Sequence, residues 1–275
     1  MIKKMTALSL VCIVSLFIFS ACSNPKSPSN AQQFHDFRIV EEAISDELYG
    51  IAVRKEDTVL RDEIQNALNQ AIKDGSAAKV AKKWFGKDTI YKPEYPTIQT
   101  DPNAKSDKDT IILGCDIDFA PMSFMDGDEI VGFDIDLAKL IIEKKMGKKL
   151  QVEPIIWADK EKELNKKQID VLWNGLTITD QRMEEMCFTE PYMHNRQVIV
   201  VPKNSDIRTP EQMKDKRVAM QKESTAMDAF IDYDIPATVT ELESNVDCLM
   251  ELSQGLQDLV IMDSVVAEYY LSLTK

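Results

Sequence analysis

Cysteine and histidine are scarce in this chain, positive charge is outnumbered, and no long apolar run follows the first twenty residues. The two histidines, His35 and His194, and the five cysteines stand at no metal-ligand spacing, so no metal site is expected. Cys12 lies within the first apolar stretch and Cys22 just beyond it. Cys115, Cys187 and Cys248 remain, an odd and widely spaced set that makes no disulfide framework and is expected as buried thiols. Lys and Arg number 33 against 46 Asp and Glu, a formal net charge of −13. Such a surface repels phosphate backbones and no basic run offsets it, so a nucleic-acid partner is excluded from the expectations. No cofactor is expected either.

The N-terminus opens with the basic MIKK, continues with a charge-free apolar stretch from Met5 to Phe19, and ends in Ser20-Ala21-Cys22 before the polar SNPKSPSNAQQ. The stretch is short for a membrane span and resembles a bacterial lipoprotein signal. Residues 1–21 are therefore expected to be a signal peptide, Cys22 a lipidation site and 22–33 a flexible tether. The protein would be extracytoplasmic, held to the bacterial cell membrane by lipid.

From Phe37 the chain reads as strand FRIV, an acidic joint EEAISDE and strand YGIAV at 49–53. Asp57 or Thr58 can cap the helix that follows, whose inner face runs Leu60, Ile64, Leu68 and Ile72. A second helix, AAKVAKKWFG, closes this block. Residues 88–109 carry Pro93, Pro96 and Pro102 with no sustained apolar period and read as a linker. From Thr110 strands and helices alternate to the end, with TIILGC, LQVEPI, IDVLW, QVIVV, RVAMQ, ATVTE and DLVIM as strands, which predicts an α/β fold with largely parallel sheets.

In such folds ligands bind beyond the carboxyl ends of the strands. The ends here are Gly114-Cys115-Asp116, Asn174-Gly175-Leu176-Thr177, Glu223-Ser224-Thr225 and Asp263. Arg182 falls in the first turn of a helix, where a cation opposes the helix dipole unless an anion is near. It either binds a carboxylate through its guanidinium or pairs with Glu185 or Asp180. Ser224 and Thr225 open a helix as an anion cradle or simply as its cap. Asp263, ending an apolar run, caps the next helix or meets a cation. Phe119 and Trp157 offer apolar contact, or belong to the core. Together these groups complement an amino-acid zwitterion.

The segments GCDIDFAPMSFMDGDEIVGFDIDLAKLI, IDVLWNGLTITDQR, FTEPYM and DLVIMD resemble the polar amino-acid-binding proteins that serve ABC importers. In that family the segment like YGIAVRKEDTVLRDEIQNALNQAIKDG through KWFG ends the chain, whereas here it comes first. The resemblance thus implies a circularly permuted, two-lobe clamp of the type II periplasmic-binding-protein kind. Residues 34–46 would supply the last strand of lobe 2 and a hinge, 47–198 lobe 1, and 199–275 the rest of lobe 2. The linker 88–109 would join the family's usual termini, and the strand at 49–53 would pair with strands that follow it in sequence.

Carried over by position, the resemblance implies that Arg182 with Ser224 and Thr225 holds the α-carboxylate and that Gly175, Thr177 and Asp263 hold the α-amino group. Asp116, Phe119, Trp157 and Asn174 would line the side-chain pocket. Glu223 stands where relatives usually carry Gly. The implied function is capture of a polar L-amino acid and delivery to an ABC permease by a monomeric protein that is not an enzyme. A dehydratase-like enzyme using Glu223 or His194, or a ligand-presenting sensor module, is the alternative on the same fold.

Overall fold

The apolar runs after Thr110 become the inner strands of one ten-stranded sheet, and two long strands join its halves. The computed structural model describes residues 34, 36–94 and 97–273; the expected signal peptide, Cys22 and the tether lie outside the described residues. In one half β7 (Lys149–Pro154), β3 (Thr110–Cys115) and β8 (Val171–Thr177) run parallel in that order. In the other half β12 (Thr238–Leu242), β11 (Arg217–Gln221) and β13 (Leu259–Asp263) do the same.

The joining strands are β2 (Ser45–Arg54) and β10 (Met193–Pro202). They pair antiparallel, with Met193 opposite Tyr49 and Gln197 opposite Ser45. Then they part. β2 continues along β8, and β10 continues along β13 with Gln197 facing Asp263. β1 (Phe37–Ile39) also lies along β10, and β9 (Met186–Phe188) lies along β2. β2 starts four residues before the expected strand, because Ser45–Tyr49 find hydrogen-bond partners in β10 and part of the EEAISDE joint becomes ladder.

Helices cover both faces, so side chains that alternate along a strand are buried on either side. Leu259 and Ile261 join Val218, Met220 and Phe230 in one core, while Val260 and Met262 turn to Cys248, Leu249 and Val266 in another. The same larger core takes Leu60, Ile64 and Leu68 of α1 (Thr58–Lys73) against Ile51, Val53, Ile111 and Leu113. Asp57 makes no side-chain cap for α1; its carboxylate instead lies 2.6 Å from the Arg54 guanidinium. The next helix, α2 (Ser76–Phe85), stops at Gly86, whose φ of 70° suits a residue without Cβ.

One helix changes pitch midway: α3 (Phe133–Ala138) continues as a π-helical stretch, Lys139–Lys145. A small antiparallel sheet of β4 (Asp118–Phe119), β5 (Ser123–Asp126) and β6 (Glu129–Val131) precedes it, an element the alternating pattern did not predict.

The described part of 88–109 contains no helix and is strapped to the α1 side of its half by buried carboxylates. Glu190 accepts from the Thr97 and Ile98 amides at 2.5 Å, Asp62 from Asp101 at 3.0 Å and Glu63 from Ser106 at 2.8 Å. Charge-assisted bonds to backbone amides thus replace the ladder that a proline-rich segment cannot form. Among the described residues no helix is long and apolar enough to cross a membrane. Cys115 and Cys248 are buried free thiols, whereas Cys187 is only partly buried.

Candidate ligand-binding site

The carboxyl ends of β7, β3 and β8 stand side by side and face the ends of β11 and β13 across the joining strands. At the centre of this junction is a carboxylate that sequence reasoning missed. Glu47, on β2 and buried, accepts hydrogen bonds from Thr177 Oγ1 at 3.1 Å, Thr225 Oγ1 at 2.5 Å, Asn195 Nδ2 at 3.0 Å and Gln197 Nε2 at 3.1 Å. The two threonine hydroxyls come from opposite halves and lie 3.4 Å apart. Both hydrogens go to Glu47, so the hydroxyl oxygens present lone pairs, which suit an ammonium better than a carboxylate.

Asp263 neither caps the helix after it nor meets a cation. Instead it accepts from Tyr49 Oη at 2.5 Å and from the same Asn195 Nδ2 at 2.7 Å. Burial, reinforced by the charge of Glu47, holds its acid well above the usual carboxyl range. Burial likewise lifts the Tyr49 hydroxyl.

Arg182 lies in α5 (Asp180–Glu185), capped by Thr179, and donates through Nη1 to the Thr177 carbonyl at 3.0 Å. Its Nη2 reaches across to the Glu223 carbonyl at 3.4 Å. Neither Glu185 nor Asp180 holds it in an ion pair. Ser224 caps α6 (Thr225–Ile231), accepting from the Ala226 amide at 3.4 Å. Glu223 itself is exposed, with φ at 55°, so its carbonyl rather than its carboxylate faces Arg182.

At the other end of the junction Asp116 is buried, with one carboxylate oxygen on the Asp118 amide at 2.8 Å and the other on Gln221 Nε2 at 2.7 Å. Burial raises it to about 6. Asn174 Oδ1 accepts from the Asp116 amide and from Ser123 Oγ. Gly175 has φ at 55° and donates to Asp134 Oδ2 at 2.8 Å. A Cβ on it would lie 2.8 Å from the Phe119 ring and 3.1 Å from Tyr49, so glycine is needed for packing as well as conformation. Trp157 belongs to a different apolar cluster, with Leu164, Ile169 and Leu172, and not to the one that holds Phe119. The Lys160 ammonium stands 5.1 Å from its ring centroid.

Two cavities open near these residues. One of about 970 Å³ includes Glu47, Thr177, Thr225 and Phe188; another of about 430 Å³ includes Arg182, Ser224, Lys160 and Glu223. The structure thus groups Thr177, Thr225, Arg182 and Ser224, links Asp263 to them through Asn195 and Glu47, and sets Asp116 and Asn174 together at the far end. Glu47 follows Ser45 and Asp46, and Asn195 and Gln197 stand among His194 and Arg196, so no alternation of polar with apolar marked them as inward-facing. Lys160, inside the charged KEKEL, carried no signal either.

This chain belongs to the bacterial extracellular solute-binding proteins, family 3, whose model matches residues 111–259. It is 30% identical over 172 residues to the arginine-binding extracellular protein ArtP of Bacillus subtilis, covering 61% of this chain and 66% of ArtP. The ABC transporter glutamine-binding protein GlnH of the same organism is 29% identical over 168 residues, covering 59% of this chain and 62% of GlnH. The chain therefore spans just under two thirds of the length of these relatives. Among solved structures, holo ArgBP from T. maritima superposes with a TM-score of 0.56 at 35% identity over 60% of this chain and 73% of that one. The fold is the α/β, two-lobe architecture of type II periplasmic amino-acid-binding proteins.

Proposed function

We propose that the protein captures a polar L-amino acid between its two halves, outside the cytoplasm, and delivers it to the permease of an ABC importer. The observation that carries this reading is the meeting of Thr177 and Thr225 from opposite halves, with Arg182 on one side and the Asp263 carboxylate on the other. Arg182 and the Ser224–Thr225 backbone hold the α-carboxylate. Asp263, the Thr177 oxygen and Gly175 hold the ammonium, and Asp116, Phe119, Trp157 and Asn174 surround the side chain. A ligand that touches both halves favours closure only through contacts that the open form cannot make.

The same reading makes the chain a circular permutation of the family's order. Support comes from the topology, in which β2 precedes β3 in sequence yet sits between β10 and β8, and from the family match, which begins only at residue 111. The strap 88–109 then joins what are the two chain ends elsewhere. Lipid on Cys22 tethers a monomer near its importer, although one acyl chain alone anchors only marginally.

An enzyme reading has less support. His194 is half exposed beside Asp46 at 3.3 Å, and the Glu223 side chain is exposed, so neither forms an oriented acid or base.

Thermal unfolding against the twenty L-amino acids and cystine tests the proposal. A ligand at a hundred times its Kd adds about 2.7 kcal/mol of stability. Arg182→Ala is expected to abolish that gain. A panel without any shift would sink the amino-acid reading.

A further inference from the structure

Besides the threonine pair at the centre, hydrogen bonds cross from one half to the other at both ends of the junction. At the Arg182 end, the buried Lys160, which opens α4 (Lys160–Asn165), donates to the Glu223 carbonyl at 3.1 Å, the same oxygen that Arg182 reaches. At the other end Gln221, the last residue of β11, donates through Nε2 to Asp116 Oδ2 at 2.7 Å. Both of these residues are buried, so water competes little for the bond.

Each partner is oriented by its own half. The Gln221 amide oxygen accepts from Asn245 Nδ2 at 2.9 Å, and Nε2 also donates to the Glu243 carbonyl at 3.1 Å, which leaves one hydrogen for Asp116. Asn245 is buried and opens α7 (Asn245–Ser253), a helix that lies beside β4 of the other half. Asp116 is held through its second oxygen by the Asp118 amide at 2.8 Å and through its own amide by Asn174 Oδ1. Asn174 is fixed in turn by Ser123 Oγ, and its Nδ2 finds no acceptor. Little side-chain freedom is therefore left to lose when the halves meet. With its acid raised only to about 6, Asp116 is ionised at neutral pH and the bond is charge-assisted.

We infer that Gln221 is a closure latch: by clamping Asp116 across the cleft it favours the closed form whichever ligand is inside, and so sets the affinity of the site without setting its selectivity. The inference rests on the amino-acid reading above and gives the Asp116 carboxylate a closing role at the edge of the side-chain pocket. A bond that spans the halves exists only when they are together. The affinity of every ligand scales with the population of the form that binds it, so losing the latch costs all of them the same factor. A residue that touches the ligand's side chain would instead change the ratios between ligands.

The test is calorimetric titration of the protein with L-arginine, L-glutamine, L-histidine and any further L-amino acid that raises the unfolding midpoint, repeated with Gln221→Leu and Asn245→Ala. The leucine removes the amide while filling most of its space, and the alanine frees the Gln221 amide while leaving Gln221 in place. Gln221→Leu is expected to weaken every amino acid that binds by about tenfold, equivalent to about 1.4 kcal/mol, and Asn245→Ala by about threefold, with the order of preference unchanged. Stopped-flow measurements should place the loss in the dissociation rate, because the latch forms after the ligand has entered. Should Gln221→Leu not fold, Asn245→Ala carries the same comparison. Unchanged affinity in a folded variant, a loss that spares some ligands, or a loss carried by the association rate overturns the inference while the amino-acid reading stands. If no amino acid binds, both fall together.

Discussion

The two joining strands each divide into a polar and an apolar half, and the halves do different work. In β10 the first half reads MHNRQ and pairs with β2, whereas the second half reads VIVVP and pairs with β13 and β1. In β2 the order is the same, SDEL before YGIAV. Antiparallel pairing sets the polar halves against each other, with Asn195 opposite Glu47. The apolar halves are buried in the cores on the two faces of the sheet: Ile51, Val53, Val198 and Val200 share one, and Ile199 and Val201 enter another. The inward side chains of the polar halves, Glu47, Asn195 and Gln197, are buried and have only each other and the groups at the strand ends to satisfy their hydrogen bonds. A joint built this way depends on direction and partner, and it leaves carboxylates and hydroxyls where the two halves of the sheet meet.

The apolar halves carry the larger share of stability. Ile199→Ala, in the fully buried second half of β10, is expected to cost about 2–5 kcal/mol in urea unfolding. A loss below 1 kcal/mol would show that this strand is not embedded as described. Glu47→Ala removes one acceptor and strands four donors, from Thr177, Thr225, Asn195 and Gln197. About 1–3 kcal/mol should be lost, less than for Ile199 because water can enter the polar joint. Equal costs would erase the distinction between the halves.

A smaller effect is tied to pH. Burial, and then the Glu47 charge, raise the folded Asp263 acid above its unfolded value near 3.8. The folded protein therefore holds a proton that the unfolded chain has already released. Stability from this group is full below about pH 4 and declines as pH rises toward the raised folded value. Glu47→Gln removes the second cause, so its unfolding midpoint should fall less between pH 5 and pH 8 than that of the parent. A steeper fall in the variant would reverse the assignment.

The smallest effect lies outside the joint. Glu223, at φ 55°, holds a side chain in a conformation that glycine adopts freely, so Glu223→Gly should stabilise by about 0.5–1 kcal/mol. The carbonyl that receives Lys160 and Arg182 is kept, so ligand selectivity should stay the same. The departure noted in the sequence, Glu for the relatives' usual Gly, thus turns out to be conformational: the carboxylate stays in solvent.

Much of this was legible before the structure. Alternating short apolar runs and amphipathic helices indicate α/β architecture, because strand and helix periods differ and a sheet covered on both faces needs continuous apolar strands. The strand-end residues Asp116, Asn174, Gly175, Thr177, Arg182, Thr225 and Asp263 could be picked out because a polar residue ending an apolar run must have a purpose there. The partners of these residues could not be read. Asp263 pairs with Tyr49 and Asn195, which lie 214 and 68 residues away in the chain. Glu47 sits in an acidic stretch that reads as solvated, and Lys160 in a charged helix that reads as surface.

The sequence by itself determined most of the strands and helices of the main sheet and the family's motifs, since these depend on local period and residue type. Only the tertiary structure decided that Glu47 occupies the centre of the cleft, that Lys160 is buried on Trp157 and that Asn174 keeps an unsatisfied donor. Those outcomes depend on which strands cross, and burial and hydrogen bonding between distant segments are properties of the packed chain.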